Sequence, residues 1–256
     1  MKKDLTAMTF CIPIRIESDY RRQNLVCLLS YITRYFDTSI LILEADKKRR
    51  FVTETSSPIR YLFIEDHAEV FHRTQYINRM LSLVETPFAA IWDTDAIAPA
   101  EQIYAGYEAL RDHGATLVYP YSGLFIAVCE SMSTIFRSTL NIEMLQSPYL
   151  HRNLLNGYYA VGGAYMVSVE RYQAAGGENE FFYGWGPEDM ERKARLEILE
   201  HRIVRIEGLL YHLYHTRGIN SNYATPKLAI RSKAEFCKIC GMDKKELERY
   251  IGTWHA

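Results

Sequence analysis

The first half of the chain alternates short apolar runs with amphipathic stretches, and this alternation limits the possible folds more than any other feature. Met8–Ile14 and Phe88–Trp92 have the composition of buried strands, whereas Arg21–Tyr35 and Ala100–His113 have the apolar spacing of helices. The same criteria predict the strands Ser39–Ala45, Ile59–Ile64 and Ala115–Tyr119 and the helix His72–Val84. We therefore predict an α/β fold with a mostly parallel, Rossmann-like central sheet, which binds ligands at the carboxyl ends of its strands.

The second half is less regular. Tyr158–Val169 has a strand-like composition that includes a pair of glycines, which predicts a bulge or a close backbone approach. Arg202–Tyr214 is again strand-like, and Thr225–Cys240 and Asp243–Ile251 are expected to be closing helices separated by Gly241. Because no repeat or Pro/Gly/Ser-rich linker interrupts the chain, we predict one domain over residues 1–256.

Composition excludes several classes of function. The chain has 256 residues and a formal net charge of −1, so no overall basic field favours a nucleic-acid partner. No apolar run is long enough to cross a membrane, and the N-terminus does not resemble a signal peptide. The five cysteines, an odd and scattered set, suggest reduced thiols and a cytoplasmic location. Cys237 and Cys240 have CxxC spacing but no second pair, so zinc is not expected there.

The segment Gly184–Asp189, with the sequence GWGPED, carries the strongest chemical signal. Pro187 suits the first position of a helix, and Glu188 and Asp189 then lie in its first turn, where the helix dipole favours negative charge. Trp185 is a large ring between two glycines, which let the backbone approach a ligand closely. Taken singly, these pieces also fit an acidic helix start with a core tryptophan. Their combination favours a base or ligand clamp beside a stacking platform.

Two further groups have the chemistry of metal ligands. Asp93 and Asp95 follow the apolar strand FAAIW, and in an extended chain their side chains point the same way, which suits a divalent cation shared with a diphosphate. His212 and His215 lie three residues apart, and paired imidazoles suit Mn²⁺ better than Mg²⁺. Each group alone also fits a structural role, as capping aspartates in a turn or as histidines bonded to backbone.

Other polar residues follow predicted strands or open a predicted helix. Arg15 leaves the first strand and is suited to bidentate phosphate contacts. Glu44 and Asp46, at the end of the second strand, are candidates to accept hydrogen bonds from a base or a ribose. Arg73 and Asn78 lie on a predicted helix that faces the same crevice. For each of them a solvated surface role is an equal alternative.

Together these motifs resemble the inverting GT-A-fold glycosyltransferases, in particular the β-1,4-galactosyltransferases and the bacterial chondroitin-polymerase type. The resemblance covers nearly the whole chain and is strongest from Val161 to Asn222. It rests on an Asp-x-Asp motif, a Gly-Gly strand, a Gly-Trp-Gly-x-Glu-Asp turn, a late histidine and an early Pro-x-Arg element. These correspond to Asp93–Asp95, Val161–Ala164, Gly184–Asp189, His215–Arg217 and Pro13–Arg15.

The resemblance implies a metal site and a catalytic pair. It assigns Mn²⁺ (or Mg²⁺) to Asp95 and His215, with Asp93 at the metal or the ribose. His212 stands where the galactosyltransferases have a methionine ligand, so we expect both histidines to bind. The same resemblance makes Asp189 the catalytic base and Glu188 the residue that orients the acceptor. It further implies substrate contacts at Gly162, Gly163, Tyr183 and Trp185.

The expected donor is a UDP-sugar, with galactose or N-acetylgalactosamine transferred. Small Ala160 stands where a bulky tyrosine favours galactose in the family, which predicts that the acetamide is tolerated. The acceptor is expected to be a glycan or lipid-linked glycan of a bacterial surface polysaccharide, with peripheral membrane contact and no membrane span. We expect a nucleotide-binding half (1–99), an acceptor and catalytic half (100–224) and closing helices (225–256). The alternatives are a sugar nucleotidyltransferase, a retaining transferase or a non-catalytic sugar-binding domain.

Overall fold

The computed structural model of the protein describes residues 1–52, 58–147, 153–155 and 157–254. Within them, a seven-stranded sheet has the order β10-β6-β9-β4-β1-β2-β3. Its strands are β1 (Lys3–Ile14), β2 (Phe36–Asp46), β3 (Ile59–Glu65), β4 (Phe88–Trp92), β6 (Leu117–Tyr119), β9 (Ala164–Ser168) and β10 (Ile203–Arg205). All neighbours pair in parallel except β9, which is antiparallel to both β4 and β6. The predicted mostly parallel sheet is confirmed.

A second sheet lies beside the main one and was not predicted. Its order is β5-β11-β7-β8, with β5 (Ala96–Ile97), β7 (Leu124–Ala127), β8 (Leu154–Leu155) and β11 (Leu209–His212). These strands are two to four residues long, too short to show a period in the sequence. β11 pairs in parallel with β7 and antiparallel with β5. The second sheet therefore ties the segment after β4 to the segment that carries the histidines.

The helices of the described residues lie between the strands and at the C-terminal end of the chain. They are α1 (Asp19–Tyr35), α2 (Arg73–Leu81), α3 (Ala100–Arg111), α4 (Glu130–Thr139), α5 (Val169–Ala174), α6 (Glu188–Ile198), α7 (Pro226–Cys240) and α8 (Lys244–Ile251). Short 3₁₀ helices lie at Ile142–Met144 and Ile219–Ser221. The Ser18 side chain accepts the N–H of Arg21 at the start of α1, and Asp243 forms a capping box at the start of α8. No helix in the described ranges combines the length and apolarity that a membrane crossing requires.

Three local predictions need correction. Only Ala164–Ser168 of the predicted strand Tyr158–Val169 joins the sheet, because Gly163 takes a left-handed φ of 84° just before it. Arg202–Tyr214 divides into β10 and β11, which belong to different sheets, with Gly208 at a φ of 122° between them. Pro187 lies at the N-cap of α6 rather than at its first helical position.

Candidate active site

One cavity opens at the carboxyl ends of β1 and β4. The predicted site residues that line it are Arg15, Arg73, Asp93, Asp95, Gly162, Gly163, Trp185, Glu188, Asp189, His212 and His215. They come from segments as far as 200 residues apart in the chain, which the two sheets bring to the same edge. This edge is where a parallel sheet of this kind binds its ligands.

At one part of this cavity, Asp95, His212 and His215 form a cluster whose ligand atoms all lie within 4.8 Å of one another. The antiparallel pairing of β5 with β11 creates it, because Ala96 is opposite His212 and the Leu213 N–H donates to the Asp95 carbonyl. Nε2 of His215 lies 3.1 Å from one Asp95 carboxylate oxygen, and Nε2 of His212 lies 3.8 Å from the other. One carboxylate and two imidazoles are a donor set that fits a transition metal such as Mn²⁺.

Hydrogen bonds and charges prepare these three side chains for a cation. Nδ1 of His215 lies 2.8 Å from the Thr216 carbonyl, which can only accept, so Nδ1 carries the proton and Nε2 is the nitrogen that faces Asp95. Burial lowers the pKa of His212 despite the nearby carboxylate of Asp95, which keeps its imidazole neutral. Burial alone would raise the pKa of Asp95, but the two imidazoles and the Arg21 guanidinium outweigh it and lower the pKa. The cluster thus presents an ionised Asp95 carboxylate beside the neutral imidazole of His212, the protonation states that metal binding requires.

Asp93 stands apart from this cluster. Asp93-Thr94-Asp95 forms a turn between β4 and β5, with the Ala96 N–H donating to the Asp93 carbonyl, so the extended geometry expected for the two aspartates is not present. The Asp93 carboxylate instead accepts a hydrogen bond from Arg73 at 2.8 Å. A second buried nitrogen of Arg73 has no hydrogen-bond partner. Arg73 therefore has a free N–H donor beside a bound carboxylate.

Asp189 is held in a fixed position on the other side of the cavity. One of its carboxylate oxygens accepts a hydrogen bond of 2.7 Å from Arg192, which is completely buried. The other oxygen faces Gly162 so closely that a Cβ on this glycine would lie 2.5 Å from it. The absence of a side chain at residue 162 is therefore what lets the Asp189 carboxylate occupy this place.

A buried network behind Asp189 fixes the arginine in turn. Arg192 donates to both carboxylate oxygens of Glu178, at 2.9 and 3.0 Å, and its guanidinium lies 3.9 Å from the centre of the Tyr165 ring. The Tyr172 hydroxyl donates to Glu178 at 2.6 Å, and the Tyr165 hydroxyl donates to the same oxygen. Burial would raise the pKa of Glu178, but Arg192 and these hydrogen bonds lower it to about 2. This ion pair therefore remains intact across the physiological pH range.

The environment of Glu188 differs from that of Glu178. It is buried, and one of its carboxylate oxygens has no hydrogen-bond partner. Burial, followed by the charge of Asp189, raises the pKa of Glu188 to about 8. The two adjacent acids thus differ in kind, since Asp189 is paired with an arginine and Glu188 is protonated at neutral pH.

Five predicted site residues make contacts within the fold. Arg15 lines the cavity, but its guanidinium donates to the carbonyls of Ala45 and Ala68 and pairs with Asp66. The other four do not line the cavity, and their contacts are with neighbouring segments. The carboxylate of Glu44 accepts hydrogen bonds from the N–H groups of Arg50 and Phe51, and that of Asp46 accepts from the Lys47 N–H and pairs with Arg50. The side-chain amide of Asn78 donates to Glu178 and Glu180. The ring of Tyr183 packs edge-on against His72.

Several lining residues were not among the predicted site residues. They are Glu17, Arg21, Phe71, Arg217, Asn220 and Ser221. Arg21 is the most informative, because one of its nitrogens lies 3.6 Å from Asp95, and its buried Nε has no hydrogen-bond partner and lies 3.9 Å from Glu17. The Asn220 side chain joins the Phe71 N–H to Glu17 across the cavity wall. An arginine near the end of the first strand was visible in the sequence, but its approach to Asp95 depends on long-range packing.

Part of the chain matches a known protein family. Residues 149–217 match the family model described as the N-terminal domain of galactosyltransferase, a segment that contains the glycine pair, the GWGPED turn and both histidines. No curated protein sequence matches the chain.

Solved structures share the fold at low sequence identity. The catalytic domain of Drosophila β1,4-galactosyltransferase 7 with xylobiose is 15% identical with a TM-score of 0.57, covering 92% of this chain and 81% of that one. A mutant of that enzyme with manganese, UDP-Gal and xylobiose is 15% identical with a TM-score of 0.51, over 81% and 71% of the two chains. Glucosyl-3-phosphoglycerate synthase from Mycobacterium tuberculosis, with Mn²⁺, UDP and phosphoglyceric acid, is 15% identical with a TM-score of 0.52, over 92% and 78%. The chain therefore has the GT-A fold of these glycosyltransferases.

Proposed function

We propose that this protein is a metal-dependent, inverting glycosyltransferase that moves a hexose or N-acetylhexosamine from a UDP-sugar to a hydroxyl group of a glycan. The observation that carries the proposal is the joint lining of one cavity by the cluster of Asp95, His212 and His215 and by the carboxyl groups of Glu188 and Asp189. Transfer from a nucleotide sugar needs both parts, one for the diphosphate and one for the acceptor. The manganese and UDP-Gal bound by the Drosophila enzyme are consistent with this division.

The donor is assigned to the side of the cavity that holds the metal cluster. Asp95, His212 and His215 would hold Mn²⁺ or Mg²⁺, which when bound supplies Lewis-acid stabilisation of the diphosphate leaving group. Arg21 and Arg73 each have a buried nitrogen without a hydrogen-bond partner, and guanidinium groups bind phosphate well. These donors place fixed positive charge where negative charge grows as UDP departs. Residues 1–99 then contribute most of the nucleotide-binding half and residues 100–224 most of the acceptor half.

Asp189 is the proposed catalytic base. The acceptor oxygen forms a bond to the anomeric carbon while the bond from that carbon to the UDP oxygen breaks, and the acceptor proton passes to the Asp189 carboxylate. Because Arg192 occupies one oxygen, the oxygen that faces Gly162 is the one available for the proton. A single displacement of this kind inverts the anomeric centre. Glu188, protonated at neutral pH, donates a hydrogen bond that orients the acceptor, and Trp185 offers a partly exposed ring to a sugar face.

The sugar, the acceptor and the cellular role belong to the same proposal. Galactose and N-acetylgalactosamine are the donors of choice, with Ala160 leaving room for the acetamide. Ala160 is buried and is not among the cavity-lining residues, so its influence would act through the adjoining segment. We assign the product to a bacterial surface polysaccharide made in the cytoplasm, with a glycan or lipid-linked glycan as acceptor.

The alternative functions fit these observations less well. A sugar nucleotidyltransferase needs a glycine-rich phosphate loop after the first strand, whereas β1 is followed by Arg15-Ile16-Glu17-Ser18. A non-catalytic sugar-binding domain has no need for Asp95, His215, Glu188 and Asp189 to line one cavity together. A retaining transferase is distinguished by the anomer of its product.

A UDP-release assay with UDP-galactose or UDP-N-acetylgalactosamine, Mn²⁺ and mixed glycan acceptors tests the proposal. We expect turnover with both donors and a product with inverted configuration by NMR. Asp189→Asn should reduce turnover by about 10²–10⁴-fold, the usual contribution of a general base, and leave UDP binding unchanged. Asp37→Asn, a change at an exposed carboxylate, is the matched control. Retained configuration, or near-normal turnover of Asp189→Asn, would rule out this mechanism, and turnover with UDP-galactose alone would remove the role given to Ala160.

A further inference from the structure

Helix α7 exposes a strongly basic face that the proposed reaction does not use. The helix has four basic residues, namely Lys227, Arg231, Lys233 and Lys238, and all four are exposed. Its single acidic residue, Glu235, is partly buried and accepts hydrogen bonds from Asn179 and Tyr250. The neighbouring α8 has three basic and two acidic residues, so its net charge of +1 is smaller than the net charge of +3 on α7.

An apolar stripe runs through the middle of this face. Ile230 is 70% exposed, and Ala234 and Cys237 are exposed four and seven residues after it, which places them along one side of the helix. At 100° per residue, Lys233 lies on one flank of the stripe and Lys227, Arg231 and Lys238 lie on the other. A narrow apolar stripe between basic flanks is the pattern of a helix that lies in a membrane interface.

The buried side of α7 borders the candidate active site. A Cβ on Gly186 would lie 3.4 Å from Ser232, so the helix packs directly against the GWGPED turn. The Lys233 ammonium lies 5.8 Å from the centre of the Tyr223 ring, which in turn packs edge-on against Trp185 at 4.9 Å. A surface that binds α7 therefore lies next to the rim of the cavity.

We infer that the exposed face of α7 docks on an anionic lipid surface. The positive charge supplies attraction to acidic headgroups, and Ile230 supplies the apolar contact that a purely electrostatic site lacks. Docking there brings the Trp185 rim to the membrane, where a lipid-linked acceptor would be found. That last step rests on the proposed glycosyltransferase activity, whereas the docking itself does not.

Sedimentation of the full chain with vesicles tests this inference at low salt, where charge attraction is strongest. We expect binding to mixed phosphatidylglycerol and phosphatidylcholine vesicles and little binding to phosphatidylcholine alone. Each neutralised basic residue should weaken partitioning about fivefold, so Lys227→Gln with Arg231→Gln should weaken it about 25-fold. Ile230→Gln should weaken it as well. The matched control is Lys47→Gln with Lys48→Gln, two exposed basic residues on the loop after β2, which should bind as the unchanged protein does.

Several outcomes would overturn the inference. One is the absence of binding to the anionic vesicles, and another is an equal loss in the control pair, which would indicate a general charge effect. Equal binding to soluble polyglutamate, with no effect of Ile230→Gln, would favour an acidic protein partner instead of lipid. UDP release with a soluble acceptor should be unchanged in all α7 variants, so a failure of docking and a failure of the enzymatic proposal give different results.

Discussion

Replacing Gly162 with alanine is the sharpest test of the arrangement around Asp189. The added Cβ would lie 2.5 Å from an Asp189 carboxylate oxygen, about 0.9 Å closer than the 3.4 Å at which ordinary contact begins. Gly162 is not among the glycines with a left-handed φ, so its backbone accepts alanine without strain. Asp189 cannot easily yield in place, because its other oxygen is bonded to the fully buried Arg192. The added methyl group would therefore force the carboxylate about an ångström away from the position that Arg192 holds.

A displacement of this size has a large effect on a proton transfer. A misplacement of about 1 Å costs about 10²-fold in rate, so we expect the turnover of Gly162→Ala to fall about 100-fold, which corresponds to about 2.7 kcal/mol. The affinity for UDP and Mn²⁺ should change less than about twofold, because the metal cluster is on other segments. Turnover is measured by UDP release, and nucleotide binding by titration calorimetry. Gly241→Ala, at the C-terminus of α7 where a Cβ meets only ordinary contacts at 3.5 Å, is the control that should retain full activity.

A double variant decides whether the alanine acts through Asp189. If it does, Gly162→Ala should add little to the loss already caused by Asp189→Asn, because the displaced group no longer serves as a base. A further 100-fold loss in the double variant would mean that the methyl group blocks the donor or the acceptor directly. That result would refute the reasoning, as would normal turnover of Gly162→Ala.

Three more predictions concern the metal, pH and the buried network. His215→Ala should weaken Mn²⁺ binding at least tenfold by calorimetry with UDP present, whereas the exposed His113→Ala should not, and equal binding would remove His215 from the metal site. The pKa of Glu188 is raised to about 8, so its contribution to stability is complete below about pH 4.5 and is lost as pH rises through 8. Between pH 5 and 8, the free energy of unfolding in urea should therefore decrease by a few kcal/mol less in Glu188→Gln than in the unchanged protein. An equal decrease in both proteins would contradict the raised pKa of Glu188. Arg192→Met leaves Glu178 buried without its partner and should lower the free energy of unfolding by about 3–5 kcal/mol, so a loss below about 1 kcal/mol in urea would contradict the role of this pair.

Buried strands were the most predictable part of the fold. β1, β2 and β4 contain the apolar runs of the sequence, because burial on both faces demands continuous apolar residues. The predicted range of β4 is confirmed, whereas β1 and β2 begin five and three residues before their predicted starts. The sequence patterns do not predict β7 and β8, because strands of two to four residues are too short to show a period. Yet β11 of this small sheet positions His212 beside Asp95. Although β11 falls within the predicted strand Arg202–Tyr214, its pairing with β5, which assembles the metal cluster, could not be predicted from local sequence patterns.

Acidic residues at strand ends show why the site residues could be predicted only in part from the sequence. Glu44 and Asp95 both lie at or just after the end of a buried strand, and both were expected to meet a ligand. The carboxylate of Glu44 is occupied by two backbone N–H groups and the Tyr61 hydroxyl, whereas Asp95 faces two histidines that are more than 115 residues away. In both cases the local sequence is an acidic residue after an apolar run, so it does not distinguish the two roles. Only long-range packing decides whether the carboxylate contacts its own loop or another segment.

The five acidic groups of the cavity acquire different roles from their neighbours, and one of them, Glu17, is held at the cavity wall by Asn220 and Arg21. Asp93 is paired with Arg73, Asp189 is paired with Arg192, and Asp95 faces two imidazoles and Arg21. Among the described acidic residues of the cavity, Glu188 alone has a buried oxygen without a hydrogen-bond partner, and it is the one whose pKa rises. Five carboxylates in one cavity would repel a UDP diphosphate if all were ionised and unpaired. With four of them beside arginine side chains and Glu188 protonated, the cavity can hold a diphosphate at one end and still offer one carboxylate oxygen to an acceptor proton at the other.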